Sequence, residues 1–362
     1  FASIYNLASA SLIWLFLNVV TTSYFSTGKL VDLSLLVWGF SRMDLVVPAW
    51  CLLFCLSFVV VPLVQAVKLW KLSIRVWAPL YAAIQVAIYS VPTYIVLTVT
   101  PTLPPPAAMI VMCEAARFSM KSHAYFREKL LHGLGPKHLR SFIPRWAQRA
   151  GVHEALLHTP HITVSDFQTE VGRYMYFSFC PVLIYRDSYP RTGPRIRWIA
   201  ALSNLFNFLM VILFTYALWV TFCEPQFIRT AVEPGDARSL LLSVFRSMLP
   251  GTMTLVLMHF GILHCWLNFW AELLRFGDRG CAYQDWWSAD GFATFYRKWN
   301  NVVGGFLRNY VYLDTIRFSH GAIGRTTAQS FVFFISALIH EHIVACAGGF
   351  FYPILLLLFG GP

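Results

Sequence analysis

The sequence predicts an all-α, polytopic membrane bundle, and three observations predict it. Hydrophobic residues fill 57% of the 362 positions and charged residues only 12%, about half the charge usual in a soluble domain. The mean hydropathy is +0.58. The apolar runs are long and unbroken, whereas a membrane β-barrel shows alternating segments of about ten residues. Helices satisfy their own backbone hydrogen bonds in lipid, so long runs of this kind read as helical spans.

A helix crosses the hydrocarbon core with about 20 mostly apolar residues. The candidates, in order, are Ile4–Phe25, Val46–Val67, Val76–Thr100, Ala107–Phe126, Trp198–Phe222, Leu240–Trp270, Ala328–Cys346 and Phe350–Phe359. The fourth is the least apolar: Pro104-Pro105-Pro106 ends the helix before it, and it carries Glu114 and Arg117. Charge in the links supports counting it. The 68–75 link holds Lys68, Lys71 and Arg75, and 121–149 holds seven Lys and Arg against Glu128 alone, so both belong on the cytoplasmic side. The links 26–45, 101–106 and 223–238 are balanced, uncharged or acidic. Alternation between the two kinds of link requires four spans before residue 121.

Two further segments are expected at the membrane surface. Tyr174–Tyr185 is apolar, too short to cross and flanked by arginines on both sides, which suits an interfacial or re-entrant piece. Glu272–Asn301 mixes charges with Trp286, Trp287, Phe292, Phe295, Tyr296 and Trp299, the composition of a helix lying in the interface. The chain is thus expected to be a single membrane-embedded domain, 1–362, with cytoplasmic loops near 127–197 and 272–301. It starts at Phe1 and ends at Gly360-Gly361-Pro362 directly after an apolar run, so both ends read as truncated.

The formal charge of +11 comes from 28 Lys and Arg against 17 Asp and Glu. These cations sit at the ends of apolar runs, where they set topology, so no nucleic-acid partner is expected. The eight cysteines form no Cys-x-x-Cys and no Cys/His cluster with zinc spacing, so no metal is expected. There is no Gly-x-Ser-x-Gly elbow, P-loop or dinucleotide fingerprint, which leaves direct transfer simpler than a covalent serine route.

Ionisable residues within spans are functional hypotheses, because hydrocarbon makes them costly. Ser336-Ala337-Leu338-Ile339-His340-Glu341-His342 places two histidines and a carboxylate in an otherwise apolar helix. A near-neutral imidazole is suited to general base work on an alcohol. Spacing of i, i+2 sets His340 and His342 about 200° apart, so both cannot face one cavity. We take His340 as the base and leave open a pair of structural, interhelical histidines. The order of residues excludes the His-Glu-x-x-His metalloprotease pattern. Asn300, in Trp299-Asn300-Asn301, is either an amide donor to an oxyanion or a helix cap. His259, His264 and Asn268 form a second polar strip, read as structural.

At these residues the chain resembles the sterol O-acyltransferases (acyl-CoA:cholesterol acyltransferases) of the membrane-bound O-acyltransferase superfamily. The blocks that carry the resemblance are Phe118-Ser119-Met120-Lys121-Ser122-His123, the run Cys180 to Thr192, Leu263 to Asn268, Tyr283-Gln284-Asp285-Trp286-Trp287, Trp299-Asn300, His340-Glu341 and Phe351-Tyr352-Pro353. The resemblance implies a nine-span enzyme of the endoplasmic-reticulum membrane, of which eight spans are present here. It implies transfer of a long-chain acyl group from acyl-CoA to a sterol hydroxyl, with acyl-CoA as substrate and no cofactor, in a homodimer or dimer of dimers within membrane lipid. His340 and Asn300 match its catalytic pair. Tyr283, Asp285, Trp286 and Trp287 match a motif tied to acyl-CoA handling, with Trp299 and Glu341 as further substrate contacts. The departures are Ala282 and Ser288, where the family usually has Phe and Asn, and Gly304-Gly305, which replaces a His-Asp pair. A diacylglycerol acyltransferase and a non-catalytic sterol-binding protein of the same fold are the alternatives; Tyr185 to Thr192 and His264 to Asn268 look closer to the sterol branch.

Overall fold

The computed structural model describes residues 2–30, 32–99, 103–133, 167–232, 235–279, 282–319 and 322–360. The basic residues Lys137, Arg140, Arg145 and Arg149 of the expected cytoplasmic loop, and Cys281, lie outside them. The described helices run in chain order as α1 (Ala2–Thr27), α2 (Ser34–Gly39), α3 (Met43–Phe58), α4 (Val60–Trp70), α5 (Ile74–Tyr94), α6 (Pro105–Gly133), α7 (Phe167–Phe179) and α8 (Trp198–Leu218). Then follow α9 (Glu224–Val232), α10 (Ala237–His259), α11 (Leu267–Leu273), α12 (Phe292–Trp299), α13 (Asn301–Phe306), α14 (Leu313–Phe318), α15 (Arg325–Gly348) and α16 (Ile354–Gly360). Wide π turns at Trp219–Cys223, Phe260–Trp266 and Leu307–Tyr312 join α8 to α9, α10 to α11 and α13 to α14. The all-α expectation holds.

Among the described residues, five helical runs are long and apolar enough to cross a membrane: Ser34–Trp70, Ile74–Thr98, Trp198–Arg229, Ala237–Leu273 and Arg325–Gly348. The first expected span is helical as α1, apolar over Ala10–Ser26. The expected fourth span is one continuous helix, α6, whose 29 residues reach about 43 Å at 1.5 Å each. The described part of the eighth is α16, seven residues or about 10 Å long.

The chain divides into two compact units, Phe1–Trp38 with Arg191–Ala282, and Gly39–Pro190 with Tyr283–Pro362. In the first, α8 packs against α10, α11 and the Phe260–Trp266 turn, and α1 packs on α8. Gly261 is needed here, since a Cβ would meet Val211 Cγ1 at 2.9 Å.

α6 is the axis of the second unit, packed by α3, α4, α5, α7 and α15. Ala107, Ala108, Val111, Ala115 and Ala116 are buried along it, and such small side chains let neighbouring membrane helices approach closely. Protein on several sides explains why this helix tolerates charge. Trp50 Nε1 donates to Glu114 Oε2 (2.5 Å), which is paired with Arg117 Nη2 at 2.7 Å. Lys121, 2% exposed, donates to the carbonyls of Phe177 (2.5 Å) and Cys180 (2.7 Å), so it closes the C-terminal end of α7. Lys129 and Glu170 form a second buried ion pair, at 3.0 Å, which the exposed Asp187 joins from the surface. Arg127 grips Asp314 with two hydrogen bonds, Nε to Oδ2 at 3.0 Å and Nη2 to Oδ1 at 2.8 Å, tying α14 to α6.

Two surface expectations are revised. Tyr174 and Phe177 are fully buried, so the first half of Tyr174–Tyr185 is a helix packed in protein, which sets aside the interfacial reading and leaves the re-entrant one. The 272–301 stretch is not one surface helix: among its described residues α11 ends at Leu273, and a short 3-10 turn at Trp286–Ser288 precedes α12, eight residues long.

Candidate active site

α15 carries the two histidines on different faces, as their spacing requires. His340 is exposed, and its Nδ1 lies 2.7 Å from the Ser336 carbonyl, one turn earlier on the same helix. A carbonyl only accepts, so Nδ1 bears the proton in the neutral ring and Nε2 holds the lone pair. That is the arrangement a general base needs.

His342 faces α5. Its Nε2 is 3.0 Å from Thr93 Oγ1, its ring meets Tyr89 edge-to-face at 6.2 Å, and Cys346 Sγ is 3.9 Å from both ring nitrogens. Glu341 points in a third direction. It is 2% exposed, and its Oε2 accepts from the backbone N–H groups of Leu355 (2.8 Å) and Leu356 (3.2 Å) at the start of α16. α15 ends at Gly349, whose φ of +70° is the left-handed conformation that glycine adopts without strain. The chain then turns back, and Glu341 caps the helix that returns.

The Tyr283–Trp287 loop folds on α12. Gln284 N–H donates to the Lys298 carbonyl (2.8 Å). Asp285 takes a hydrogen bond from Ser288 Oγ (2.6 Å) and an ion pair from Lys298 Nζ (2.9 Å); these contacts hold its carboxyl below the usual aspartate range. Ser288, a departure from the family pattern, is therefore the residue that closes this turn. Trp286 meets Trp299 edge-to-face at 4.8 Å, and Trp299 stacks on Phe295 at 5.2 Å. Trp287 is 55% exposed, with its edge on Trp286.

Asn300 follows Trp299 directly and caps α13: its Oδ1 accepts from Val303 N–H at 3.0 Å. The side-chain NH2 is the group left to donate. Beyond α13 the π turn Leu307–Tyr312 packs against α15. α12 reaches the same helix through Tyr296, whose ring meets Phe333 edge-to-face at 5.4 Å. Phe333 and His340 are seven residues apart on α15, so they share a face at a separation of about 10 Å along the axis. The structure thus brings Asp285, Trp286, Trp299 and Asn300 into one cluster, anchored on the face of α15 that carries His340. It directs Glu341 and His342 elsewhere.

Sequence reasoning missed Lys298, Thr93 and Phe333. Ser288, three residues after Asp285, is the one partner with a local signal, that of a side-chain-closed turn. In the first unit Asn268 donates to the His264 carbonyl (2.8 Å), one turn back on its own helix, and His264 stacks on Phe260 at 5.0 Å.

An imidazole with a defined acceptor nitrogen thus stands on an apolar helix whose same face anchors an aromatic, amide-bearing cluster. Residues 160–361 match the membrane-bound O-acyltransferase family, and the chain belongs to that family. It is 36% identical to Sterol O-acyltransferase 2 of Homo sapiens over 365 residues, 99% of this chain and 64% of the relative. It is likewise 36% identical to Sterol O-acyltransferase 1 of Rattus norvegicus, over 99% of this chain and 62% of the relative. The chain therefore spans somewhat less than two thirds of the length of these relatives.

Proposed function

We propose that this chain transfers a long-chain acyl group from acyl-CoA to the hydroxyl of a sterol, releasing free CoA. The observation that carries the reading is His340, set with Nδ1 bonded to Ser336 and Nε2 as acceptor on the face of α15 that anchors the Asp285–Trp299 cluster. The likeness to sterol O-acyltransferases supports the choice of acceptor.

In this mechanism Nε2 of His340 takes the hydroxyl proton as the sterol oxygen attacks the thioester carbonyl. The C–S bond then breaks, and the departing thiolate takes the proton from the imidazolium. Atoms balance, no net proton is released and no cofactor is needed. Asn300 holds its Oδ1 on Val303 and offers its NH2 to the thioester oxygen as negative charge develops there. Trp286, Trp287 and Trp299, with Tyr283 and Asp285, supply an aromatic and polar wall for the acyl-CoA. Bringing a soluble thioester and a lipid-dissolved alcohol to one point removes the entropy of encounter, a large part of such a barrier. The setting proposed is the endoplasmic-reticulum membrane, with the chain in a homodimer or a dimer of dimers.

The test offers labelled oleoyl-CoA with cholesterol and diacylglycerol together to the protein in detergent, comparing wild type with His340→Ala. Steryl ester that disappears in the variant is the expected result. Triacylglycerol as the main product overturns the acceptor, and full turnover by the variant overturns the base.

A further inference from the structure

The cations of α6 and α14 are paired inside the protein. Arg117 meets Glu114, Lys121 meets two carbonyls at the end of α7, Lys129 meets Glu170, and Arg127 and Arg317 both meet Asp314. Arg308, in the π turn between α13 and α14, differs. It is exposed and makes no hydrogen bond or ion pair with any described residue. The turn that carries it packs on the membrane span α15, where an unpaired guanidinium is costly. Its counter-charge therefore comes from outside the chain.

The neighbours of Arg308 define the face it occupies. Phe306 and Tyr310 are buried, and each ring lies 5.9 Å from that of His123. Gly304 and Arg308 precede them by two residues, about 200° around the helix, and both are exposed. Gly304 leaves this face bare, since a Cβ built there meets nothing within 4 Å. Asn300 stands four residues earlier, at the start of α13. Amide, bare backbone and guanidinium thus follow one another along one side. They lead from Asn300 toward the basic end of this pair of helices, where Arg317 closes α14 and Arg325 opens α15, the end that positive charge sets at the cytoplasmic surface.

The spacing selects the anion. Arg308 lies eight residues beyond Asn300, about 12 Å along the axis, and its side chain adds reach. In acyl-CoA about thirteen bonds separate the thioester sulfur from the first phosphorus, roughly 15 Å at the ~1.2 Å per bond of an extended chain. A guanidinium grips phosphate through paired, parallel N–H donors. We infer that Arg308 holds the phosphate at the end of the pantetheine arm of acyl-CoA, with that arm lying over the bare backbone at Gly304. The inference rests on the proposed transfer from acyl-CoA and adds to it the contact that sets the register of the thioester at Asn300.

The test separates binding from turnover. Non-transferable thioether analogues of oleoyl-CoA, oleoyl-phosphopantetheine and oleoyl-pantetheine are titrated calorimetrically into the full-length protein in detergent, with melting curves for every variant. Arg308→Gln is expected to weaken the CoA and phosphopantetheine thioethers by about 10- to 100-fold, the worth of a hydrogen bond to a charged group, and to leave the pantetheine thioether unchanged. Arg308→Lys, which keeps the charge and loses the fork, should recover part of the affinity. Gly304→Leu should weaken all three. A loss by Arg308→Gln that includes the pantetheine thioether shows a structural role, and one confined to the CoA thioether moves the contact to the phosphates nearer the adenine; both overturn the assignment. Equal binding by wild type and Arg308→Gln overturns it as well and leaves Arg308 to a lipid phosphate, and indifference to Gly304→Leu overturns the path over α13. The two readings fail separately: the expected binding pattern without steryl ester removes the catalysis and keeps the subsite, whereas steryl ester formed with a KM for acyl-CoA unmoved by Arg308→Gln removes the subsite and keeps the catalysis.

Discussion

His340 and His342, two residues apart on α15, are held through opposite ring nitrogens: Nδ1 of His340 on the Ser336 carbonyl and Nε2 of His342 on Thr93. The two rings are thus fixed through different atoms on different faces of one helix. Catalysis by His340 predicts an asymmetry that a purely structural pair lacks. His340→Ala or His340→Gln should lower steryl ester formation by about 10²–10⁴-fold, the usual worth of a general base, with membrane insertion and elution as a folded species unchanged. Initial rates on purified protein check it, and a drop below tenfold removes the base assignment.

Glu341 is expected to matter for stability. Its carboxylate satisfies two N–H groups of α16, and a buried donor left without a partner costs about 1–3 kcal/mol. Glu341→Ala should therefore lower the melting temperature in detergent, and Glu341→Gln, which keeps one acceptor oxygen, should lower it less. Turnover per folded molecule should fall far less than for His340→Ala. A rate loss without a thermal shift would instead place Glu341 at the substrate.

The Asp285 turn gives a pH prediction with a definite sign. Ser288 and Lys298 hold the folded-state pKa below the ordinary aspartate value, about 3.9. Their stabilisation of the loop is complete above that value and is lost as pH falls through the lowered one. Protection from hydrogen exchange across 284–288, relative to the intrinsic rate at each pH, should fall on acidification below about pH 4, and Ser288→Ala or Lys298→Ala should bring the opening to higher pH. Asp285→Asn should abolish the pH dependence in that window.

What the sequence made legible follows from which forces act locally. The apolar spans were readable because lipid imposes length and hydropathy on each segment by itself. α6 and the Asn301–Phe318 rod were harder, because Glu114, Arg117, Lys121, Arg127 and Asp314 find partners on other helices, and protein replaces lipid around them. The same limit held at the site. The 200° between His340 and His342 was predictable, but which face meets Thr93 depends on α5, more than two hundred residues away in sequence. The Asp285 pairing to Lys298 likewise depends on a loop folding back on α12.

Lys121 extends the same principle to stability. Its ammonium lies against two carbonyls at the end of α7 and 4.4 Å from the Phe177 ring centroid. Lys121→Met keeps the apolar stem but leaves both acceptors without the donor that joins α6 to α7. Hydrogen bonds to charged groups contribute about 1.5–3 kcal/mol each, so this variant should be among the least stable single substitutions in the second unit, visible as poor yield and a lowered melting temperature.

Gly304 should respond in the opposite direction. It lies inside α13, where glycine costs about 0.5–1 kcal/mol relative to alanine, and a Cβ built there meets nothing within 4 Å. Gly305 differs, since its Cβ would stand 3.4 Å from Ile184 Cδ1. Gly304→Ala should raise stability by about 0.5–1 kcal/mol through the lost backbone freedom of the unfolded chain, while Gly305→Ala should gain less or nothing. Paired melting curves in one detergent decide it. A destabilised Gly304→Ala would mean that the space beside the Asn300 cap is filled in the working protein, by substrate or by protein, and steryl ester assays with that variant would then distinguish the two: a raised KM points to substrate, an unchanged KM to protein.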